Sequence, residues 1–252
     1  GEAKWISFSL FSGGGFGGGG PGTGATMQEE EMHVEPDGSF ELVISQREHP
    51  GNWLRSEPDT RSIAIRQTFL DKRRHEHAVM HIERLGGEGE PPAPLTPEAL
   101  YQGLTIVGHY VKIVAGIGAQ WAVRQSQWPN VFTDEAEDEL TDKFKDPQIK
   151  WHQAYFELGE DEALVVEVVP PACDYWMIAL HNHWMETLDY VHHQATLNCH
   201  SAVLEPDGSA RFVVASRDPG VPKWLDTAGH RHGTVGVRWV GPEVVDVLPR
   251  TR

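Results

Sequence analysis

The sequence predicts a mainly β protein, made of two related β-sandwich or jelly-roll modules with a helical insertion between them. Three observations lead there. A segment near the start returns in the second half of the chain, each copy carries a Pro-Asp-Gly turn between apolar runs that alternate, and one stretch between the copies switches to a helical period. Repeated units of this kind are read before anything else, because self-similarity fixes the architecture. The expected division is a first β module over 1–88, a linker and helical insertion over 89–149, and a second β module over 150–252.

Glu35-Pro36-Asp37-Gly38-Ser39 recurs as Glu205-Pro206-Asp207-Gly208-Ser209, an offset of 170 from 35 to 205. At the same offset Trp5 to Leu10 aligns with Tyr175 to Leu180. Further on, Trp53-Leu54 aligns with Trp224-Leu225 and Arg66 with Arg238, the spacing growing by single residues in stretches that read as loops. Pro-Asp-Gly presets a turn, and the runs after it, Phe40 to Ile44 and Ala210 to Val214, read as strands. In the opening strand the even positions are apolar in both copies: Ile6, Phe8 and Leu10, then Trp176, Ile178 and Leu180. Side chains alternate across a strand, so these face the core. The other face carries Ser7 and Ser9 in one copy, His181 and His183 in the other.

Ahead of its opening strand the second copy has Ala154 to Leu158, an acidic Gly159 to Glu162, and Ala163 to Val169 before Pro170-Pro171. This predicts a hairpin closed by a short turn. The first copy has only Gly1 to Lys4 there. A sheet without those strands exposes an edge that proteins normally cover. The first module is therefore expected to be completed by a missing N-terminal segment or by a separate chain.

Between the copies, Gly86 to Pro94 reads as a linker. Thr96-Pro97-Glu98 then opens a helix, with Thr as N-cap and Pro in the first turn. Leu100, Leu104, Val107, Val111 and Val114 form an apolar stripe about four turns long, expected to be core, with the end near Gly116 or Gly118. The acidic stretch Asp134 to Asp142 reads as a solvated loop or short helix face.

The net charge of −16, from 37 acidic against 21 basic residues, disfavours nucleic acid, whose phosphates would be repelled. No run of 18 apolar residues is present, so no transmembrane segment is expected. Two cysteines, Cys173 and Cys199, are too few for a disulfide framework and read as buried thiols. The run Gly13 to Gly22 lacks both the Lys-Ser/Thr of a phosphate loop and a following helix, and reads as a surface loop.

Of the 14 histidines, several lie between His181 and His232. His181 and His183 with Glu186 resemble the HxH-plus-Glu arrangement of cupin metal sites, but the spacing to the Glu is short and nothing brings His192, His193 or His200 to them. No metal is assigned, and the cofactor is left unknown.

The segments present in the second copy and changed in the first direct attention to its pocket. From Asp218 to His232 the second copy has Asp226 and His230 where the first has Arg55 and Asp59, and a carboxylate can orient an imidazole for proton transfer. An Asx turn with a surface His is the alternative. The leading expectation is an enzyme acting on a small-molecule ligand, with His230 as acid or base, Asp226 or Asp189 orienting it, and Arg238 holding an anionic group. The alternatives are a carbohydrate or small-ligand binding module using Trp184, Tyr190, Asn198 and Trp224, and a structural subunit whose open edge recruits a strand. A homo-oligomer is compatible with each.

These residues resemble bacterial proteins that pair two domains of unknown function, numbered twelve-fifty-four and twelve-fourteen. The second copy is similar to the twelve-fourteen domain through Ala163-Leu164-Val165, Tyr175-Trp176, Asn182, Trp184, Glu186, Leu188-Asp189-Tyr190, Leu197-Asn198, Asp207-Gly208, Asp218-Pro219-Gly220 and Gly229-His230. The first is similar through Pro36 to Glu41, Gly51 to Arg55 and Ile65-Arg66-Gln67. The resemblance implies a jelly roll and an upstream portion, and brings no settled reaction. His181 and His183 stand where it implies aromatic residues, and Lys223 where it implies Asn.

Overall fold

The computed structural model describes residues 3–12, 23–71, 76–87, 89–91, 93–133, 149–241 and 247–252. The glycine run at 13–22 and the acidic stretch at 134–142 lie outside the described residues. The chain divides into two compact units, Gly1–Val114 and Ala115–Arg252. The first contains strands β1 (Trp5–Ser12), β2 (Thr23–Gln28), β3 (Val43–Ser45), β4 (Trp53–Arg55) and β5 (Thr60–Thr68). Helix α1 (Pro97–Gln125) is shared between the units. The second contains β6 (Ile149–Glu157), β7 (Ala163–Val168), β8 (Tyr175–His181), β9 (Thr196–Asn198), β10 (Ala210–Ala215), β11 (Trp224–Asp226), β12 (His232–Val240) and β13 (Arg250–Thr251).

The second unit is a sandwich of two four-stranded sheets, ordered β6-β12-β8-β9 and β11-β10-β7-β13. Their inner faces meet in one core: Ala154 and Phe156 from β6, Trp176, Ile178 and Leu180 from β8, and Val235, Val237 and Trp239 from β12 face Leu164, Val166, Phe212, Val214 and Leu225. The even positions of β8 point inward as the alternation requires, and so do Ile6, Phe8 and Leu10 in the first unit. Cys173 and Cys199 are free thiols packed on the second core, and burial pushes the Cys173 thiol up.

The duplication holds residue by residue. In the first unit β1 pairs with β5 so that Phe8 faces Ile65 and Ser7 faces Arg66; in the second, β8 pairs with β12 so that Ile178 faces Val237 and Met177 faces Arg238. Thr26, Met27 and Gln28 lie against Ser9, Phe8 and Ser7 as Thr196, Leu197 and Asn198 lie against Ala179, Ile178 and Met177. A short parallel pair follows in each, Val43 with Trp53 and Val213 with Trp224. The indole N–H of Trp53 donates to Ser45 O at 3.2 Å, and that of Trp224 to Ala215 O at 2.9 Å.

The repeated turn is also the same object twice. Gly38 N donates to Glu35 O and Gly208 N to Glu205 O, with both glycines at positive φ, 83° and 81°. Any L side chain is strained in that backbone region, which explains the glycine. Asp37 and Asp207 each accept from the amide two residues on at 2.9 Å, bonds to Ser39 and Ser209 that lower both carboxyls from their ordinary value.

Three expectations are corrected. The strands flanking Gly159 to Glu162 do not form a hairpin: β6 pairs with β12 and β7 with β10, in different sheets, so residues 158–162 carry the chain across the sandwich. Both strands are rich in core residues, and each sheet needs one of them to close over the shared interior.

The helix is the second correction, since it runs 29 residues and passes through Gly116 and Gly118. Its start is as read, with Thr96 Oγ1 accepting from Ala99 N at 3.2 Å. Gly118 does not end the helix because it serves close packing: a Cβ there would lie 2.5 Å from the carbonyl oxygen of Trp184. The stripe at Leu100, Leu104, Val107, Val111 and Val114 is exposed rather than core, and Tyr101, Ile106 and Ile113 extend the apolar surface around the helix.

The third concerns the membrane criterion. Helix α1 is long and apolar enough, by length and composition alone, to cross a membrane. The search for an unbroken apolar run missed it because its interruptions are Gly, Thr, Gln and His, and Lys112 is the one charged side chain between Ala99 and Val123.

Candidate functional site

The outer face of the β6-β12-β8 sheet carries the polar residues that distinguish the second unit. Antiparallel register sets them in rows: Tyr155, Thr234 and His181 in one, Gln153, Gly236 and Ala179 in the next, Trp151, Arg238 and Met177 in the third. Gly236 leaves room in the middle row, where a Cβ would lie 3.1 Å from the Trp151 indole nitrogen and 3.3 Å from His181 Cε1. The C-terminal half of α1 reaches this face, with Gln125 Nε2 donating to Gln153 Oε1 at 2.6 Å and the Trp121 and Trp151 rings edge to face at 5.9 Å.

The loop after β8 closes over one end of the face. Asn182 organises it, its side-chain oxygen accepting from Trp184 N and Glu186 N while its amide donates to Glu186 Oε2 at 2.7 Å. Met185 is held at φ 64°, with its sulfur accepting from Gln153 and Thr234. Tyr155, His183 and His232 gather beside it: the phenol oxygen lies 3.2 Å from His183 Nδ1, and His232 stacks on Tyr155 at 6.3 Å. Burial, with Arg238 adding to it, drops His181 to about 4, so its ring is neutral at physiological pH. Among the buried polar atoms without a hydrogen-bond partner are His181 Nδ1, Trp121 Nε1 and Gln125 Oε1.

His181, His183 and Glu186 do not converge, since Glu186 is turned to Asn182 and His183 to Tyr155. Among the described residues no group of three or more His, Cys, Asp or Glu side chains is placed to hold a metal ion.

Asp226 does not orient His230. Its Oδ2 lies 2.7 Å from Nδ1 of His193, and its Oδ1 accepts from Ala228 N at 2.8 Å. Asp189 is likewise taken by His192, whose Nδ1 is 2.8 Å from Oδ2; the His192 bonds hold that carboxyl below its ordinary value. The turn after Asp226 is strained: Ala228 sits at φ 49°, and the fully buried Thr227 keeps its hydroxyl without a partner. A left-handed non-glycine residue costs about 1–2 kcal/mol, and such strain gathers at functional sites. No local spacing points to His193 as the partner, because it lies 33 residues from Asp226. The pairing arises where Asp226 N donates to Gln194 O at 3.0 Å.

His230 is exposed and lines an open cleft of about 310 Å³ with Leu158, Glu160, Arg217 and Thr227. Arg238 lies on the outer sheet face with its guanidinium 5.7 Å from the centroid of Trp151, away from Asp226 in the second unit's other sheet. Of the four residues expected to bind by stacking or hydrogen bonds, Trp184 and Tyr190 are exposed. Asn198 instead caps a turn, accepting from His200 N and Ser201 N, and Trp224 repeats the structural bond of Trp53. Lys223 has a counterpart too: it donates to Val203 O at 2.7 Å, as Asn52 donates to His33 O at 2.8 Å in the first unit.

Fold and site together define a two-module β-sandwich protein with a histidine-rich second module. The structure is similar to the crystal structure of an uncharacterised protein from Burkholderia cenocepacia, 38% identical, over 98% of this chain and 69% of that one, with a TM-score of 0.90. The chain belongs to the family of that protein. A much slighter likeness, 11% identical with a TM-score of 0.48 over 98% of this chain and 82% of the other, is to the VPA0106 protein from Vibrio parahaemolyticus. No protein-family model and no curated protein matches the sequence.

Proposed function

We propose that the second module acts on a small molecule by proton transfer, with His193 as acid or base and Asp226 as the carboxylate that orients it. The observation that carries this reading is the 2.7 Å contact between Asp226 Oδ2 and His193 Nδ1. A carboxylate on Nδ1 fixes the imidazole so that Nε2 is the atom offered to a substrate. The pair is polarised in exposure: the Asp226 side chain is 16% exposed and that of His193 40%, so the orienting group is sheltered and the working group accessible. The first module has Arg55 in the place of Asp226, paired with Glu57, and lacks the arrangement.

His230 then serves the cleft rather than the dyad. The resemblance to the paired twelve-fifty-four and twelve-fourteen proteins belongs to the same proposal and rests on the residues quoted for it.

The test is a panel of chromogenic esters, phosphates and glycosides assayed with the chain and with His193→Gln and His230→Ala. Turnover lost in His193→Gln and kept in His230→Ala supports the dyad. Turnover kept in His193→Gln overturns it.

A further inference from the structure

Three connections meet at one end of the second sandwich: residues 158–162 between β6 and β7, Ser216-Arg217 after β10, and residues 227–231 between β11 and β12. The cleft of about 310 Å³ that His230 lines is enclosed by them. Small-molecule sites run from about 300 to 1,000 Å³, so this one suits a small occupant. Its lining holds one buried polar group and one charge that nothing satisfies. Thr227 is fully buried, and its hydroxyl has no hydrogen-bond partner. Such a group destabilises the fold, and native proteins keep few of them. Arg231 accepts from Leu158 N through its main-chain oxygen, while its guanidinium has no partner among the described residues. The other guanidinium of the cleft, that of Arg217, is bound by Glu160 and Asp161. Arg231 and His230 therefore form a cationic corner in a chain whose net charge is −16.

The corresponding turn of the first module is built differently. Ser56 N donates to Ser45 O as Thr227 N donates to Ala215 O, which matches the two positions. From there the first module runs Glu57-Pro58-Asp59 without a basic residue, where the second runs Ala228-Gly229-His230-Arg231. Ser56 is half-buried where Thr227 is buried. Of the two turns, only that of the second module joins a buried, unpartnered hydroxyl to an unpaired cation.

We infer that this cleft binds a small hydroxycarboxylate. The carboxylate lies on the Arg231 guanidinium, whose planar fork matches it, with His230 beside the pair. A hydroxyl of the same molecule bonds the Thr227 hydroxyl, which can donate or accept. Glu160, held in place by Arg217, accepts from a second hydroxyl. Polyhydroxy acids of the sugar-acid class meet all three demands in one molecule. A plain alkyl carboxylate meets only the first, and a neutral sugar misses it. Neither His193 nor Asp226 lines the cleft, so the site stands apart from the proton-transfer pair.

Calorimetric titration of the chain with gluconate, hexanoate and glucose tests this. Gluconate is expected to bind at least about tenfold more tightly than either of the others, and Arg231→Gln to weaken it by about tenfold or more. Thr227→Val is expected to weaken gluconate by roughly three- to tenfold while the melting temperature of the ligand-free protein holds or rises, because the exchange removes a buried hydroxyl that has no partner. A hydroxyl that serves only the fold gives the reverse, a lower melting temperature with unchanged affinity, and that result overturns the inference. So does an absence of gluconate binding. Hexanoate bound as tightly as gluconate reduces the site to a carboxylate contact, and glucose bound as tightly reduces it to a sugar contact; each of these overturns it as well. The titration reads the cleft and the turnover panel reads His193, so this inference and the proton-transfer proposal fail separately.

Discussion

Ile65 and Val237 hold the same position in two copies of one strand, opposite Phe8 and Ile178, and one is 41% exposed while the other is 1% exposed. The same local pattern therefore has different energetic weight in the two units. Val237→Ala removes two methyl groups from a closed core and is expected to destabilise the second unit by about 2 kcal/mol, whereas Ile65→Ala costs roughly 0.5 kcal/mol or less in residues 1–252. Urea unfolding of both variants checks the difference; equal losses would contradict the open edge.

Two glycines of α1 make opposite predictions. At Gly118 a Cβ meets the Trp184 carbonyl at 2.5 Å, so Gly118→Ala must push helix and loop apart, at roughly 1–3 kcal/mol. At Gly116 a Cβ meets nothing within 4 Å, and Gly116→Ala is expected to stabilise the helix by about 1 kcal/mol. Thermal melts of the two variants should move in opposite directions.

Acid should weaken the second unit through His181. Its folded value is about 4 against an ordinary 6.5, so on acidification the unfolded chain takes up the proton first. Stability is therefore full above about pH 6.5 and falls as pH drops toward 4, by about 3 kcal/mol in all. His181→Leu should flatten this part of the profile, as measured by denaturant midpoints across the range; an unchanged slope would place the acid sensitivity elsewhere.

The Asp226 carboxylate should fix the tautomer of His193. In the chain the imidazole proton is expected on Nδ1, and in Asp226→Asn the Nδ1-protonated population should fall, with any turnover reduced about 10- to 1,000-fold. Nitrogen chemical shifts of the labelled ring report this directly. A tautomer indifferent to the substitution would leave the pair as a surface contact.

Lys223 is predicted to be replaceable by asparagine. Asn52 already makes the equivalent bond in the first unit, so Lys223→Asn should change stability by about 1 kcal/mol or less. Lys223→Met, which leaves both Val203 O and Glu205 without their donor, should cost about 1–3 kcal/mol. Chemical unfolding of the two variants separates them.

The duplication, the turn at Pro-Asp-Gly, the inward face of β1 and β8 and the N-cap of α1 were all legible in the linear chain. Each is a local matter, set by alternation, by a glycine at positive φ or by a hydroxyl three residues from an amide. The segment from Ala154 to Val169 shows where local reading ends. Two apolar strands around a short acidic link look the same whether they close a hairpin or cross between sheets, and only the partners β12 and β10 decide it.

The site divides in the same way. The linear chain alone shows that the second copy differs from the first at Asp226 and around His181 to Tyr190, and that histidines and carboxylates fill that difference. Tertiary structure alone decided that Asp226 meets His193 and not His230, that His181 is half-buried on the same sheet face as Arg238, and that Ile65 stands open where Val237 is closed. Those outcomes depend on strands brought together from 30 to 90 residues apart in the chain, and on whether a neighbouring strand is present at all. Neither is written into the spacing of nearby residues.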